Sequence, residues 1–228
     1  MPSLIDSARG LPLVSDLLSR CTFPLPSTAV DCAVSGGADS VALLVLACAA
    51  NLNVTAWHVD HGLRENSHTE AALVAQLATQ LGTQFESRTV NVVQGANTEA
   101  RAREARYATL PTGVMTGHTA DDQAETILIN LLRGSGTRGL AGMQPTTQRP
   151  LLHIRRSETQ TLCNALGIAV FHDPSNNDER FQRNRIRHEV LPLMESLAKR
   201  DLVPVLTRQA DLLRDDDDLL NELAGALD

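Results

Sequence analysis

Six consecutive residues, Ser35-Gly36-Gly37-Ala38-Asp39-Ser40, bring two hydroxyls, two glycines and a carboxylate between one apolar run and the next. The layout predicts a buried strand, a tight turn and a helix N-terminus. Glycines carry no Cβ, so backbone N–H groups can crowd around an anion. The helix behind them adds orphan donors and the positive end of its dipole. Such a nest suits phosphate or pyrophosphate. The Asp39 carboxylate would repel that anion unless a cation stood between them, so the pattern asks for Mg2+. No lysine follows the glycines, which sets the stretch apart from the P-loop pattern G-x-x-x-x-G-K-S/T. A turn that uses glycine for packing alone is the plainer alternative, and this density of functional residue types weighs against it.

A second constellation runs Thr116-Gly117-His118-Thr119-Ala120-Asp121-Asp122-Gln123-Ala124-Glu125-Thr126. A strand end, a glycine and a histidine, then acids at a helix start, gather His118, Asp122 and Glu125 around one mouth. The acids could simply cap the helix, and that reading stands even with recognition of a cationic substrate. Arg103 and Arg106 lie one helical turn apart, with Glu99 one turn before Arg103. They form either a helix-stabilising set or a phosphate clamp. His58 and His61 are three apart with no third ligand at suitable spacing, so satisfied or ligand-stacking histidines are favoured over a metal site, the stacking partner being an adenine or ribose. Arg180–His188 packs Arg180, Arg183, Arg185 and Arg187 near Phe181, with Asn184 among them. That mix suits phosphate tracking with base stacking, as found in RNA readers, and the plainer alternative is a helix N-terminal region salt-bridged to Glu179 and Glu189. Gly134-Ser135-Gly136-Thr137-Arg138-Gly139 satisfies G-x-G-x-x-G but follows a helix. It is read as a loop closing over the pocket and not as a dinucleotide turn.

These groups need a frame. Strand and helix patterns alternate: a strand before Ser35, a helix to about Leu44, a strand over Val54–Asp60 and a capping box at Ser67–Glu70 opening a helix that Gly82 closes. A strand near Phe85–Val90, a helix over Thr98–Leu110, a strand at Gly113–Thr116 and a helix over Asp121–Arg133 follow. The fold class is therefore α/β, with a doubly wound, mostly parallel sheet. Ligands in such sheets lie beyond the carboxyl ends of the strands. Arg149–Ile154 reads as an extended piece, and Ser157–Gln160 as a capping box for a helix ending at Gly167. Helices follow from about Asn184 to Ala198 and from Asp201 to Leu227, with Asp215–Asp218 on a solvated face. The expected division is a catalytic domain over residues 1–185 and a helical extension over 186–228.

Of 228 residues, 43% are hydrophobic, ordinary for a globular chain, and no apolar run reaches membrane-span length. The formal net charge is −7, but residues 201–228 contribute −6 of it, leaving residues 1–200 at −1. Every basic residue except Lys199 is arginine. Arginine is the better bidentate phosphate reader, although a biased genome produces the same preference. Cys21, Cys32, Cys48 and Cys163 are widely spaced with no C-x-x-C pair, which favours a reducing cytoplasm and argues against structural zinc or an iron–sulfur cluster.

Ser35–Ser40 resembles the PP-loop of the N-type ATP pyrophosphatases, which cleave ATP to AMP and pyrophosphate while adenylating a carbonyl oxygen. Four further stretches extend the likeness: His58-Val59-Asp60-His61-Gly62-Leu63-Arg64, then Glu99 with Ala102-Arg103 and Arg106-Tyr107, then Gly117–Thr126 running on to Gly136, and Arg183-Asn184-Arg185-Ile186-Arg187. Together they resemble one family, the tRNA(Ile)-lysidine synthetases, over about residues 29–190. The resemblance implies a cytoplasmic ligase that adenylates the wobble cytidine of an isoleucine tRNA with a CAU anticodon. Free L-lysine then displaces AMP to give lysidine. It further implies that Ser35, Gly36, Gly37, Ala38, Asp39, Ser40, His58 and Arg106 bind ATP, with Asp39 on Mg2+. Asp122, Glu125 and His118 would bind lysine, and Asp39, Arg103 and His118 would serve catalysis. Arg183, Asn184, Arg185 and Arg187 would contact tRNA. No membrane partner is expected, and the oligomeric state is left open, with a homodimer as one option. The nearest alternative is a PP-loop thiolase making 2-thiocytidine, a chemistry expected to need the cysteine pair this chain lacks.

Overall fold

The structure, a computed structural model, describes residues 3–60, 67–90, 108–171 and 178–226. The helices are α1 (Leu4–Arg9), α2 (Pro12–Arg20), α3 (Ala38–Ala49), α4 (Ser67–Leu81), α5 (Ala120–Leu132), α6 (Thr137–Leu140), α7 (Arg156–Ala165), α8 (Gln182–Arg185), α9 (Leu191–Ala198) and α10 (Val203–Gly225). A π-helical turn, Ile186–Val190, joins α8 to α9. The strands are β1 (Ala29–Ala33), β2 (Asn53–Asp60) and β3 (Gln84–Thr89).

The strands pair in parallel in the order β1-β2-β3. Just past the end of β1, Val34 N–H bonds to the Trp57 carbonyl on the β2 side, whereas Ala33 N–H bonds to the Met115 carbonyl and the Asp31 carbonyl accepts from Met115 N–H. Alternate residues of a strand face opposite neighbours, so Met115 lies on the other side of β1. The expected strand at Gly113–Thr116 is reduced to that one parallel bridge, Cys32 to Met115. The spatial order is thus β3-β2-β1-Met115, and the direction of winding reverses at β1. This is the topological switch point at which doubly wound sheets take their ligands.

By packing, the described chain falls into two compact units. The first covers Met1–His118 and Thr146–His172, the second Thr119–Pro145 and Asp173–Asp228. The expected boundary after residue 185 falls inside the second unit.

In the first unit α3 is apolar on every side, so it is buried on every side: Ser40 to Cys48 are all interior. It packs with Cys32, Val34, Ala56, Leu151, Ile154 and Leu162. Residues 150–154, expected to be extended, form turns instead, with Ile154 N–H bonded to the Leu151 carbonyl. Burial of Leu151, Leu152 and Ile154 at consecutive and near-consecutive positions is met by a turn and not by a pleat. Helix α7 starts before the predicted Ser157 cap. Glu158, in its first turn, accepts the Arg155 N–H at 2.8 Å and also takes the Arg20 guanidinium on both oxygens, at 2.6 and 3.1 Å.

The second unit is helical. Ala120, Ala124 and Leu128 of α5 meet Ile186, Leu191, Leu202 and Val203. The Gly134–Gly139 stretch, expected to be a loop closing over the pocket, runs into the short helix α6 (Thr137–Leu140). Asn130 of α5 donates its side-chain amide to the Gly139 carbonyl at 2.7 Å. Within α10, Asp215, Asp216 and Asp218 are exposed, as a solvated face requires.

Candidate functional site

Ser35 to Ser40 occupy the turn from β1 into α3, at the switch point. Gly36 has φ +88°, a conformation L side chains rarely adopt, and its carbonyl accepts the Phe171 N–H at 2.8 Å. The first helical bond of α3 runs from Val41 N–H to the Gly37 carbonyl. The amides before it have no intrahelical acceptor, which is the arrangement that receives an anion. Ser40 knits the turn: its hydroxyl accepts the Ser35 N–H at 3.1 Å, donates to the Gly37 carbonyl at 2.9 Å and lies 3.2 Å from Ser35 Oγ. Its visible contacts therefore shape the cradle.

The neighbouring chain end at the switch point carries Gly117 and His118. Gly117 lies directly on the backbone of Asp39 and Ser40. His118 Nδ1 is 2.7 Å from the Thr116 hydroxyl, and Thr116 bonds through its own N–H and hydroxyl to the Gln148 carbonyl at 2.9 and 3.2 Å. The imidazole is thus fixed by its Nδ1 edge. His58, near the end of β2, is buried, with Nδ1 2.8 Å from the Val34 carbonyl. Burial holds its pKa below the ordinary 6.5, and the Val34 carbonyl and Asp60 pull more weakly the other way. A neutral ring bonded to backbone braces the strand beneath the loop, and this is the role its contacts support.

Asp39 is held from α7. Thr159, fully buried, donates its hydroxyl to Asp39 Oδ1, and Arg156 Nε lies 3.2 Å from Asp39 Oδ2. Neither Arg156 nor Thr159 was among the residues singled out from sequence. They stand 117 and 120 positions downstream of Asp39, Thr159 inside the Ser157–Gln160 stretch that reads as a helix cap and Arg156 just ahead of it.

The second unit brings together two groups that the sequence left apart. Glu125 is only 1% exposed, with Oε1 2.7 Å from Arg187 Nε and Oε2 2.7 Å from Arg183 Nε. Asp122 Oδ1 lies 3.9 and 3.8 Å from the same two arginines, while Oδ2 accepts the Thr119 N–H and hydroxyl as the α5 cap. Arg183 and Arg187, expected on tRNA, therefore neutralise the acids expected on lysine. Asn184 is buried and donates to the Asp178 carbonyl, so its amide tethers a loop and does not present a surface contact. Arg185 is 60% exposed and pairs with Glu189 at 3.0 Å. Gln123, also unremarked in the sequence, bonds Met143 through both its amide atoms at 2.8 and 2.9 Å, and Arg214 donates to the Ala141 and Met143 carbonyls. Sitting inside the motif gave Gln123 no signal of its own. His61, Glu99, Arg103 and Arg106 lie outside the described residues.

Comparison with known proteins bears directly on the loop. A family described as a PP-loop domain matches residues 14–194. The chain belongs to the PP-loop family. Over 211 residues it is 45% identical to the tRNA(Ile)-lysidine synthase of Rhodococcus erythropolis, covering 89% of this chain and 65% of that one. The tRNA(Ile)-lysidine synthase of Nocardia farcinica is 43% identical over 214 residues, 90% of this chain and 67% of the relative. The chain spans about two thirds of the length of the curated relatives it matches. Among solved structures, the U34-tRNA thiolase NcsA of Methanococcus maripaludis, solved with its 4Fe-4S cluster, has a TM-score of 0.69 at 18% identity. The match covers 92% of this chain and 80% of that chain. At that identity the likeness speaks for the PP-loop fold alone. Membership of an ATP-utilising family fits the anion cradle of Ser35–Ser40. Among the described residues no helix is long and apolar enough to cross a membrane.

Proposed function

We propose that this PP-loop protein is an ATP-dependent ligase that converts the wobble cytidine of a CAU-anticodon isoleucine tRNA to lysidine. The observation that carries the reading is the meeting of the Ser35–Ser40 cradle and the Gly117–His118 turn at one switch point, in a chain 45% identical to a curated tRNA(Ile)-lysidine synthase. In the first step the cytosine O2 attacks the α-phosphorus of ATP, and the bond to pyrophosphate breaks. In the second the ε-amine of lysine attacks C2, AMP departs with the former O2, and the amine gives up its proton.

The residues divide these tasks. Backbone amides of Gly36–Asp39 hold the phosphates, with Ser40 keeping the loop in shape through the Ser35 N–H and Arg106 adding charge. Mg2+ would be held by Asp39, since the ion takes carboxylate oxygens together with those of a substrate phosphate. When bound, it would neutralise charge building on the leaving pyrophosphate. His118, fixed through Nδ1, has Nε2 as the atom to take the amine's proton, with Arg103 near the activated base. Asp122 is proposed as the ammonium contact. Glu125 backs it by holding Arg183 and Arg187, and Arg185 is the tRNA contact best supported by exposure. The target base must leave the anticodon stack to react.

The deciding experiment is mass spectrometry of the anticodon nucleoside after incubation with ATP, labelled lysine and the tRNA. Incorporation of labelled lysine is expected. Pyrophosphate release that proceeds with tRNA but never yields lysidine would refute the lysine step. A thiolase is disfavoured by the cysteines: burial pushes the thiols of Cys21, Cys48 and Cys163 up to about 12, far from a reactive thiolate.

A further inference from the structure

No basic residue stands between Ser35 and Ser40. Backbone amides and a helix dipole offer only partial charges to a triphosphate, and a tetraanionic ligand can take a side-chain cation in addition to the Mg2+ and Arg106 already proposed. Helix α7 brings one. Arg156, its first residue, lies 3.2 Å from Asp39 Oδ2 at the head of α3, and Thr159 one turn later binds Asp39 Oδ1. Helix α7 is fastened along its length: Glu158 is gripped by Arg20, Leu162 and Cys163 are fully buried, and the Cys163 thiol donates to the Ala38 carbonyl at 3.6 Å. The Arg156 backbone therefore sits at a fixed place beside the cradle. A guanidinium is a planar fork with five N–H donors, enough to serve a carboxylate and phosphate oxygens together.

We propose that Arg156 is a further phosphate-binding cation of this loop, aimed by Asp39, with Thr159 as the positioning residue that fixes the Asp39 carboxylate. The proposal rests on the nucleotide reading of Ser35–Ser40 and assigns that site a ligand from a distant part of the chain. A purely structural ion pair would predict that losing Arg156 disturbs every ligand of the loop alike. A phosphate ligand predicts selectivity for the β- and γ-phosphates.

Calorimetric binding of α,β-methylene-ATP and of AMP to the full chain, without tRNA or lysine, separates these outcomes. Wild type should bind the triphosphate analogue more tightly than AMP; failure of that preference would sink the nucleotide reading itself. With the preference present, Arg156→Gln should weaken the analogue roughly tenfold to a hundredfold, the range for a hydrogen bond to a charged group, and leave AMP within about twofold. Thr159→Val, which keeps the volume and removes the hydroxyl, should weaken the analogue by a smaller factor, and Thr159→Ser should restore it. Unchanged analogue affinity in Arg156→Gln, or equal losses for analogue and AMP, would overturn the assignment. Should that variant fail to fold, Arg156→Lys decides by the same two ligands, since it keeps the charge and gives up the fork. Selective weakening of the analogue supports the proposal, and anything else refutes it.

Discussion

A methyl group placed on Gly117 would come within 2.7 Å of the Asp39 carbonyl oxygen and 3.0 Å of the Ser40 nitrogen. The turn that carries His118 thus rests directly on the backbone of the anion cradle, and glycine is the residue that permits it. Both neighbours are main-chain atoms in a buried helix start, so neither can swing aside. Gly117→Ala should cost about 1–3 kcal/mol of stability, the range for overpacking, and weaken ATP binding by displacing the cradle. Urea unfolding and ATP titration of the same preparation check both.

Asp39 joins three tasks: heading α3, receiving Thr159 and Arg156, and, as proposed, holding Mg2+. Asp39→Ala should abolish adenylation, measured as ATP–pyrophosphate exchange in the presence of tRNA. Near-normal exchange would remove Asp39 from the metal role.

Glu125 and Asp122 should behave differently despite their shared helix. Glu125→Gln leaves two arginines facing a neutral side chain from a buried position, and should destabilise the protein by about 3 kcal/mol. The visible effect would be a lowered urea midpoint, with kinetics following stability. Asp122→Ala should cost about 1 kcal/mol through loss of its cap to Thr119, and chiefly raise the KM for lysine. A defect confined to ATP would contradict the ammonium contact.

Stability should fall on mild acidification. The folded pKa of His58 lies below its ordinary 6.5, because burial disfavours the charged ring. Above 6.5 both folded and unfolded chains hold it neutral. Below 6.5 the unfolded chain takes up a proton that the folded chain refuses until the depressed value is reached, so stability declines across that window. His58→Gln, which retains a donor for the Val34 carbonyl, should flatten the decline that sets in as pH falls through 6.5 in urea titrations. Glu158 works lower on the scale. The Arg20 guanidinium holds its pKa below 4.5, so its contribution is present above that value and disappears as pH falls through the folded one.

Local chemistry made much of this legible. Ser-Gly-Gly followed by an all-apolar run can only be satisfied by a tight turn into a buried helix, and α3 follows directly. The helix that Gly82 closes ends where read, because Gly82 adopts the left-handed backbone, with φ +70°, that the stop requires. Leu151, Leu152 and Ile154 misled: their apolar run satisfies a strand pattern equally well, and only packing against α3 turned it back on itself.

What the chain determined by itself was the turn at Ser35–Ser40 and the helices, since each depends on residues within a turn or two of one another, and the alternation of strand and helix that makes the winding parallel. What tertiary structure alone decided was partnership: that Asp39 answers to Arg156 and Thr159, that Glu125 is claimed by Arg183 and Arg187, and that Gly117 must be small. A charge in sequence shows its sign but not its partner. Ion pairing falls off within a few ångströms, and distances across a fold of long-range contacts bear no simple relation to separation along the chain.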